Sequence, residues 1–335
     1  MSTPAIDVVL PTLDPNLDRL ARAVDSLLGQ AEVTPTVFVV DDSDHDEVKA
    51  FVESHGTENA TGHSRGSLEY REGPGTTLAA ALDVGIEAGH APLVARQDAD
   101  DVSTPSRLLR QRRRFERDED LDVLGTGATV VRPSGGRARR RVREEIDPDA
   151  FEGGNPIVHG SVMYRRDAIE SVGGYDAAFP TSEDMELWVR LVHEGYTLGN
   201  LDLLLYELHL HGDSIYADQL RETKLLGHFA RAHARGQTEG EFAARVLEDG
   251  DVEAVYEMFG PAERCGFHRE MAMALLRYGE RGTAREHARA ALDCGLAVDR
   301  VGLLGLSYCP RALVDVAVAG FRRLKNRRIA RENGS

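Results

Sequence analysis

Two acidic clusters are placed where they could do chemistry. Asp41-Asp42-Ser43-Asp44 halts the β-branched run 36–40, and Arg96-Gln97-Asp98-Ala99-Asp100-Asp101 follows the apolar run Pro92-Leu93-Val94-Ala95. In an open parallel sheet, ligands bind beyond the carboxyl ends of the strands. Solvated aspartates also end strands for no functional reason, so one cluster alone carries little. Two clusters on neighbouring strand ends repel each other unless something cationic or hydrogen-bonding sits between them. A nucleoside diphosphate with a divalent cation meets that need. One carboxylate can accept hydrogen bonds from a base or ribose, while another holds a hard cation that binds the phosphates. A third acidic pair, Glu183-Asp184, opens a run of helical spacing. The helix dipole favours acids there whatever their function, and a general base is the other reading.

The elements that must position these residues are legible in outline. Ala5 to Leu10, closed by Pro11, reads as a buried strand, and Asn16 to Gln30 as an amphipathic helix ending at Gly29. Thr36–Val40 is a second strand, Ala79–Ala88 a helix, and 92–95 a third strand running into the second acidic cluster. A helix is expected from Asp101 to Asp118, capped by Ser103 or Thr104 with Pro105 in its first turn. Leu121–Val131 and Val158–Tyr164 read as strands, Asp167–Val172 as a short helix, and Glu183–Glu194 as a helix with Gly195 at its end. Strands alternating with helices predict a largely parallel sheet covered on both faces, an α/β fold.

Taken together, the ordered blocks resemble glycosyltransferase family 2, the inverting transferases of GT-A fold. Leu10-Pro11-Thr12 and Val40-Asp41-Asp42-Ser43 are similar to its first two strand ends, and 95–111 to its metal-binding segment. Asn155 to Arg165 is similar to its acceptor-side strand. Gly173-Gly174-Tyr175-Asp176 with Phe179 resembles a further block, as does Glu183-Asp184-Met185-Glu186-Leu187-Trp188. Six blocks in order are far more specific than any one of them. The resemblance spans roughly residues 5 to 216 and implies a GT-A domain over 1–216.

That resemblance implies roles. Thr12 and Asp41 would contact the nucleobase, with Pro11 and Asp42 beside them and Arg96 near the phosphates. Asp98 would touch the ribose or the metal, and Asp100 would ligate the metal, Mn2+ or Mg2+. Asp184 would be the catalytic base, with His159, Glu183 and Trp188 on the acceptor side. Direct displacement at an anomeric carbon passes through an oxocarbenium-like state. The acceptor hydroxyl needs a base, and a metal neutralises the departing diphosphate. The family's late histidine ligand is matched by His211, in His211-Gly212-Asp213-Ser214-Ile215-Tyr216. Leu208 and His209 replace the usual Tyr and Arg, so His209 competes for that role.

Composition narrows the partners. The 335 residues carry a formal net charge of -16, and only three of the 40 basic residues are lysine. An acidic, lysine-poor chain fits either a high-salt interior or a GC-rich genome. So acidic a surface argues against nucleic acid. The three cysteines, Cys265, Cys294 and Cys309, suggest neither a disulfide framework nor a CxxC site, which fits a reducing cytoplasm. No leader or membrane-spanning run is read. Beyond residue 216 a helical extension is expected to about 300, including a hairpin over 271–292, followed by a basic amphipathic tail over 301–335. The tail would lie on an anionic membrane or dock on the protein's own acidic body. The arginines of 137–143 would be solvated or meet an anionic acceptor, and Arg107 would be solvated or paired.

The function expected is transfer of a sugar from a nucleotide-sugar donor to a glycan, lipid-linked or other hydroxyl acceptor. A sugar-phosphate nucleotidyltransferase would need a Gly-rich, lysine-bearing first loop, which Leu10-Pro11-Thr12-Leu13-Asp14 lacks. A catalytically dead scaffold would have no use for Asp98, Asp100 and Asp184 together.

Overall fold

The computed structural model describes residues 5–57, 66–133, 135–210, 217–278, 280–293 and 307. Nine strands form one mixed sheet. They are β1 (Ile6–Thr12), β2 (Thr36–Asp41), β3 (Ser67–Glu72), β4 (Leu93–Arg96), β5 (Val102–Ser103), β6 (Leu121–Val131), β7 (Arg137–Arg140), β8 (Met163–Arg165) and β9 (Thr197–His209). The order is β3-β2-β1-β4-β8-β6-β9-β5, with β7 paired to β6. Strands β3, β2, β1 and β4 run parallel, as do β6 and β9, whereas β8, β7 and β5 are antiparallel to their neighbours.

Strand alternation distributes helices to both faces. Val8 and Leu10 of β1 pack with Leu20, Val24 and Leu27 of α1 (Leu17–Leu28) and with Val48 and Val52 of α2 (Glu47–Thr57). Val9, between them in sequence, points the other way toward Gly85 of α3 (Leu78–Ala88), where an added Cβ would meet its Cγ1 at 2.3 Å. Asn16 and Thr77 cap α1 and α3 by accepting the N–H of Arg19 and Ala80. Helix α4 (Arg107–Phe115) follows β5, α5 (Arg166–Ser171) follows β8, and α6 (Glu183–His193) precedes β9.

Three expectations are corrected. The helix expected from Asp101 begins at Arg107, N-capped by Ser106, because Val102 and Ser103 are drawn off as β5 against Tyr206 and Glu207. The strand expected over 158–164 is a 3-10 turn at His159–Ser161 followed by the short β8. The acidic strand ends are also not adjacent, since β1 stands between β2 and β4.

The chain divides into two compact units, residues 1–214 with 229–243, and residues 215–228 with 244–335. Helix α7 (Ala217–Ala234) contributes to both, and so does α8 (Gly240–Leu247). The second unit also holds α9 (Glu253–Met258), α10 (Pro261–Tyr278) and α11 (Arg281–Asp293). Its Phe267, Met271, Leu275, Ala284 and Ala288 are buried, and Arg221 lies over the Tyr256 and Phe267 rings while pairing with Glu253 at 2.7 Å. Cys265 is disulfide-bonded. The basic tail lies outside the described residues apart from Ser307, as does His211. Among the described residues no helix is long and apolar enough to cross a membrane.

Candidate active site

The carboxyl ends of β1 and β2 form a polar recess. Pro11 pairs in register with Val40 and Thr12 with Asp41, and all four are buried. One Asp41 oxygen accepts the backbone N–H of Ser43 at 3.1 Å and its hydroxyl at 2.6 Å. The other oxygen, Oδ2, is buried without a hydrogen-bond partner, and so is Thr12 Oγ1. Buried polar atoms are costly to leave unpaired, so two such atoms at adjacent strand ends point to a ligand with donors and acceptors. Asp42 is half-buried and accepts the Gly75 N–H at 2.8 Å, where Gly75 takes a left-handed φ of 66°.

At the end of β4, Arg96 is buried and its guanidinium pairs with Asp98 Oδ1 at 2.7 Å. Burial works against the Arg96 charge, but Asp98 together with the Tyr206 and Tyr175 hydroxyls more than offsets it and holds the guanidinium above its ordinary range. Tyr206 of β9 donates to Asp98 Oδ2 at 3.2 Å. Asp98 and Asp100 are half-exposed, whereas Asp101 is 3 % exposed and accepts the His209 N–H at 2.7 Å. Burial, with Asp98 and Asp100 nearby, pushes the Asp101 carboxyl up. His209 is thereby tied to Asp101 through its backbone, and its Nδ1 lies 3.9 Å from the same carboxylate.

The residues expected on the acceptor side converge on the first turn of α6. His159 Nδ1 lies 3.6 Å from Glu183 Oε1 and 3.6 Å from Asp184 Oδ2, while its Nε2 shares a 3.0 Å hydrogen bond with the Tyr175 hydroxyl. Burial and the nearby Arg96 hold His159 well below its ordinary pKa, so the ring is neutral. Trp188 is fully buried with its ring edge-on to His159 at 6.0 Å, so it packs against this group and is closed to solvent. Asp184 accepts from Met185 N–H and from the Asn155 amide, and burial pushes its carboxyl up. Among the described residues, His159, Glu183 and Asp184 are the grouping of three or more ligand-type side chains close enough for one cation, within 4.8 Å of one another.

The two regions are electrostatically one site. The Arg96 charge acts on Asp98, Glu183, Asp184 and His159 together, and the Asp98 charge reaches Glu183. Burial and then Asp184 push the Glu183 carboxyl up to about 7. A raised pKa means the native state holds this proton more tightly than the unfolded chain does. The group therefore favours folding below its ordinary value of 4.5 and costs stability as pH rises through about 7. Glu183→Gln is expected to gain about 1–3 kcal/mol over the parent at pH 8, and nothing at pH 4. Thermal melts at the two pH values check this; an equal gain at both would remove titration as its cause.

Sequence reasoning missed several contributors. Arg107, read as solvated or paired, is fully buried and donates to the Arg96 and Gly160 carbonyls at 3.0 and 2.9 Å, with Tyr206 under its guanidinium. Its signal was the helix spacing that puts it beside Leu108 and Gln111 on the inner face. The hairpin arginines have protein partners: Arg137 pairs with Glu207, Arg141 with Asp202 at 2.8 Å, and Arg140 reaches the Ile157 carbonyl at 3.2 Å. Tyr206 carried no sequence signal of its own, and Asn155 fell inside the block 155–165 without a role of its own.

Residues 7–173 match the family described as Glycosyl transferase family 2. Similar proteins include EpsE of Bacillus subtilis, named as a glycosyltransferase, 29% identical over 216 residues that cover 64% of this chain and 76% of that one. The O-antigen biosynthesis glycosyltransferase WbnJ of Escherichia coli is 29% identical over 41% of this chain and 55% of its own. The amylovoran biosynthesis glycosyltransferase AmsE of Erwinia amylovora is 28% identical over 41% of this chain and 52% of its own, so the matches span about half of these two relatives. Among solved structures, S. aureus TarS 1–349 in complex with UDP has a TM-score of 0.52 at 13% identity, covering 94% of this chain and 92% of that one. Identity that low speaks to fold alone, and the fold is GT-A. A match that begins in β1, takes in both acidic strand ends and closes on the glycine pair before Tyr175 leaves one assignment: the chain belongs to glycosyltransferase family 2 and is a glycosyltransferase.

Proposed function

We propose that this glycosyltransferase takes its sugar from a nucleotide-diphosphate donor and transfers it with inversion to a hydroxyl of a growing surface polysaccharide or lipid-linked glycan. The observation that carries this is the unpartnered pair Thr12 Oγ1 and Asp41 Oδ2, buried at the ends of β1 and β2 in the sheet whose β4 ends in the Arg96–Asp98 ion pair. A nucleobase supplies donors and acceptors for the first two atoms, and a ribose hydroxyl suits Asp98. The acceptor class follows from WbnJ and AmsE, which are named for O-antigen and amylovoran biosynthesis. A bound UDP in TarS makes UDP the first nucleotide to try. The basic stretch 309–331, outside the described residues, would bring the enzyme to an anionic bilayer bearing a lipid-linked acceptor.

Asp98 and Asp100 would hold the cation. Hard carboxylate oxygens suit Mn2+ or Mg2+, and Asp101, pushed up by burial and then by the Asp98 and Asp100 charges, marks a strand end where carboxylates crowd together. Such an ion, when bound, stabilises the charge growing on the leaving diphosphate. The remaining work falls to the protein. Arg96 anchors Asp98 against the donor, Asp184 takes the acceptor proton, and neutral His159 with Tyr175 shapes the wall behind it. Two acids, Glu183 and Asp184, whose carboxyls burial pushes up, keep the base closer to working pH than a solvated aspartate would.

Calorimetry with UDP, with and without Mn2+, tests this reading. Binding is expected to need the ion and to weaken about tenfold or more in Asp100→Ala. Binding of equal strength without metal, or loss of metal dependence in a Glu183 variant but not in Asp100→Ala, would move the cation away from this strand end.

A further inference from the structure

We propose that Asn155 is a positioning residue that holds Asp184 in the orientation needed to receive the acceptor proton. This rests on the reading of Asp184 as the base. The Asn155 amide Nδ2 donates to Asp184 Oδ2 at 2.6 Å, and its Oδ1 accepts the Ile157 N–H at 3.0 Å. The second bond fixes which end of the amide faces the carboxylate, because a flipped amide would set oxygen against oxygen and leave the Ile157 N–H unpaired. The other carboxylate oxygen accepts the Met185 N–H at 2.7 Å. Each oxygen thus has one fixed donor, which leaves lone-pair positions for an incoming hydroxyl.

The anchor is itself built to stay put. Gly154 takes a left-handed φ of 105° before Asn155, and Pro156 fixes the backbone after it. Arg140 of β7 reaches the carbonyls of Asn155 and Ile157 at 3.5 and 3.2 Å, tying the turn to the hairpin. His159 Nδ1, 3.6 Å from the same Oδ2, faces that carboxylate oxygen without holding it at hydrogen-bond distance. Asn155 is therefore the side chain on which the Asp184 orientation depends. Displacement of a reacting group by about 1 Å can lower rates by about a hundredfold.

The test compares Asn155→Ala, Asn155→Asp and Asp184→Asn in the full chain, by turnover, nucleotide affinity, melting temperature and pH profile. Asn155→Ala is expected to lower kcat about 10- to 100-fold at unchanged UDP affinity, and to move the acidic limb of the kcat profile upward, because the charged form of Asp184 loses a donor. Asn155→Asp keeps the shape but sets like charges together, and is expected to move that limb further. A kcat and pH profile matching the parent in either variant, with Asp184→Asn inactive, would overturn the positioning role. So would parallel losses of kcat, affinity and melting temperature in both variants. An active Asp184→Asn would instead overturn the base reading on which it rests.

Discussion

Asp184→Asn is expected to lower turnover by about 10²–10⁴-fold, the usual worth of a general base, while nucleoside diphosphate affinity stays within about twofold of the parent. The substitution keeps the shape, and its amide oxygen can still accept the Met185 N–H seen at 2.7 Å in the parent. What it removes is the capacity to take a proton. It also removes a charge that burial disfavours but sets an amide NH2 against the Asn155 Nδ2 donor, so the two effects oppose each other and the melting temperature should move little. Nucleotide affinity should hold because Asp184 bonds to Asn155 and Met185, while Thr12, Asp41 and the Arg96–Asp98 pair lie on strand ends and Arg96 acts on Asp184 through its charge alone. In the parent, transfer should fall as pH drops through the raised Asp184 pKa, since protonation disables the base. Steady-state rates, calorimetry and melting curves on the same preparation check all three. Near-parental turnover would rule Asp184 out as base; lost affinity would mean that the substitution reaches the donor pocket.

How far the sequence displayed this site depends on which residues are asked about. The acidic strand ends were legible because a carboxylate after a β-branched run is a local pattern, and Glu183-Asp184 because helix starts have their own spacing. The parallel strands β1, β2 and β4 were legible as buried apolar runs. Strand β3, Ser67–Glu72, was not, because it is polar and only half-buried at the sheet margin. The 13-residue β9 was missed because bulges break its alternation against β6. Missing β9 concealed Tyr206, and with it the fact that Asp98 is held from across the sheet. Arg107 was misread because a charged residue in an arginine-rich helix reads as solvated; only the carbonyls it meets, on residues 11 and 53 positions away, explain its burial. Long-range partners of this kind leave no local trace.

Gly160→Ala tests that cross-sheet geometry directly. A Cβ at this position would lie 2.2 Å from Asp98 Oδ2, 2.3 Å from the Tyr206 hydroxyl oxygen and 2.8 Å from Cζ of the Tyr206 ring. Separations that short cannot persist, so one neighbour must move. Tyr206 is fully buried, with Arg107 over its ring, and has no room to retreat. Asp98 is half-exposed and would swing away, giving up the Arg96 pair and the Tyr206 bond. The Gly160 carbonyl also accepts from Arg107, so backbone relief would disturb a second buried contact. Overpacking of this kind costs about 1–3 kcal/mol of stability. The functional loss should be larger, about a hundredfold in kcat/KM, because Asp98 serves both donor and cation in the proposed reaction. Tyr206→Phe alone, which deletes the hydroxyl bonds to Asp98 without adding a clash, should lower kcat/KM less than Gly160→Ala does. Both variants can be read in one transfer assay alongside melting curves. A Gly160→Ala enzyme with parental kcat/KM would show that Asp98 does not need the position it holds against Arg96, and would remove it from the donor site.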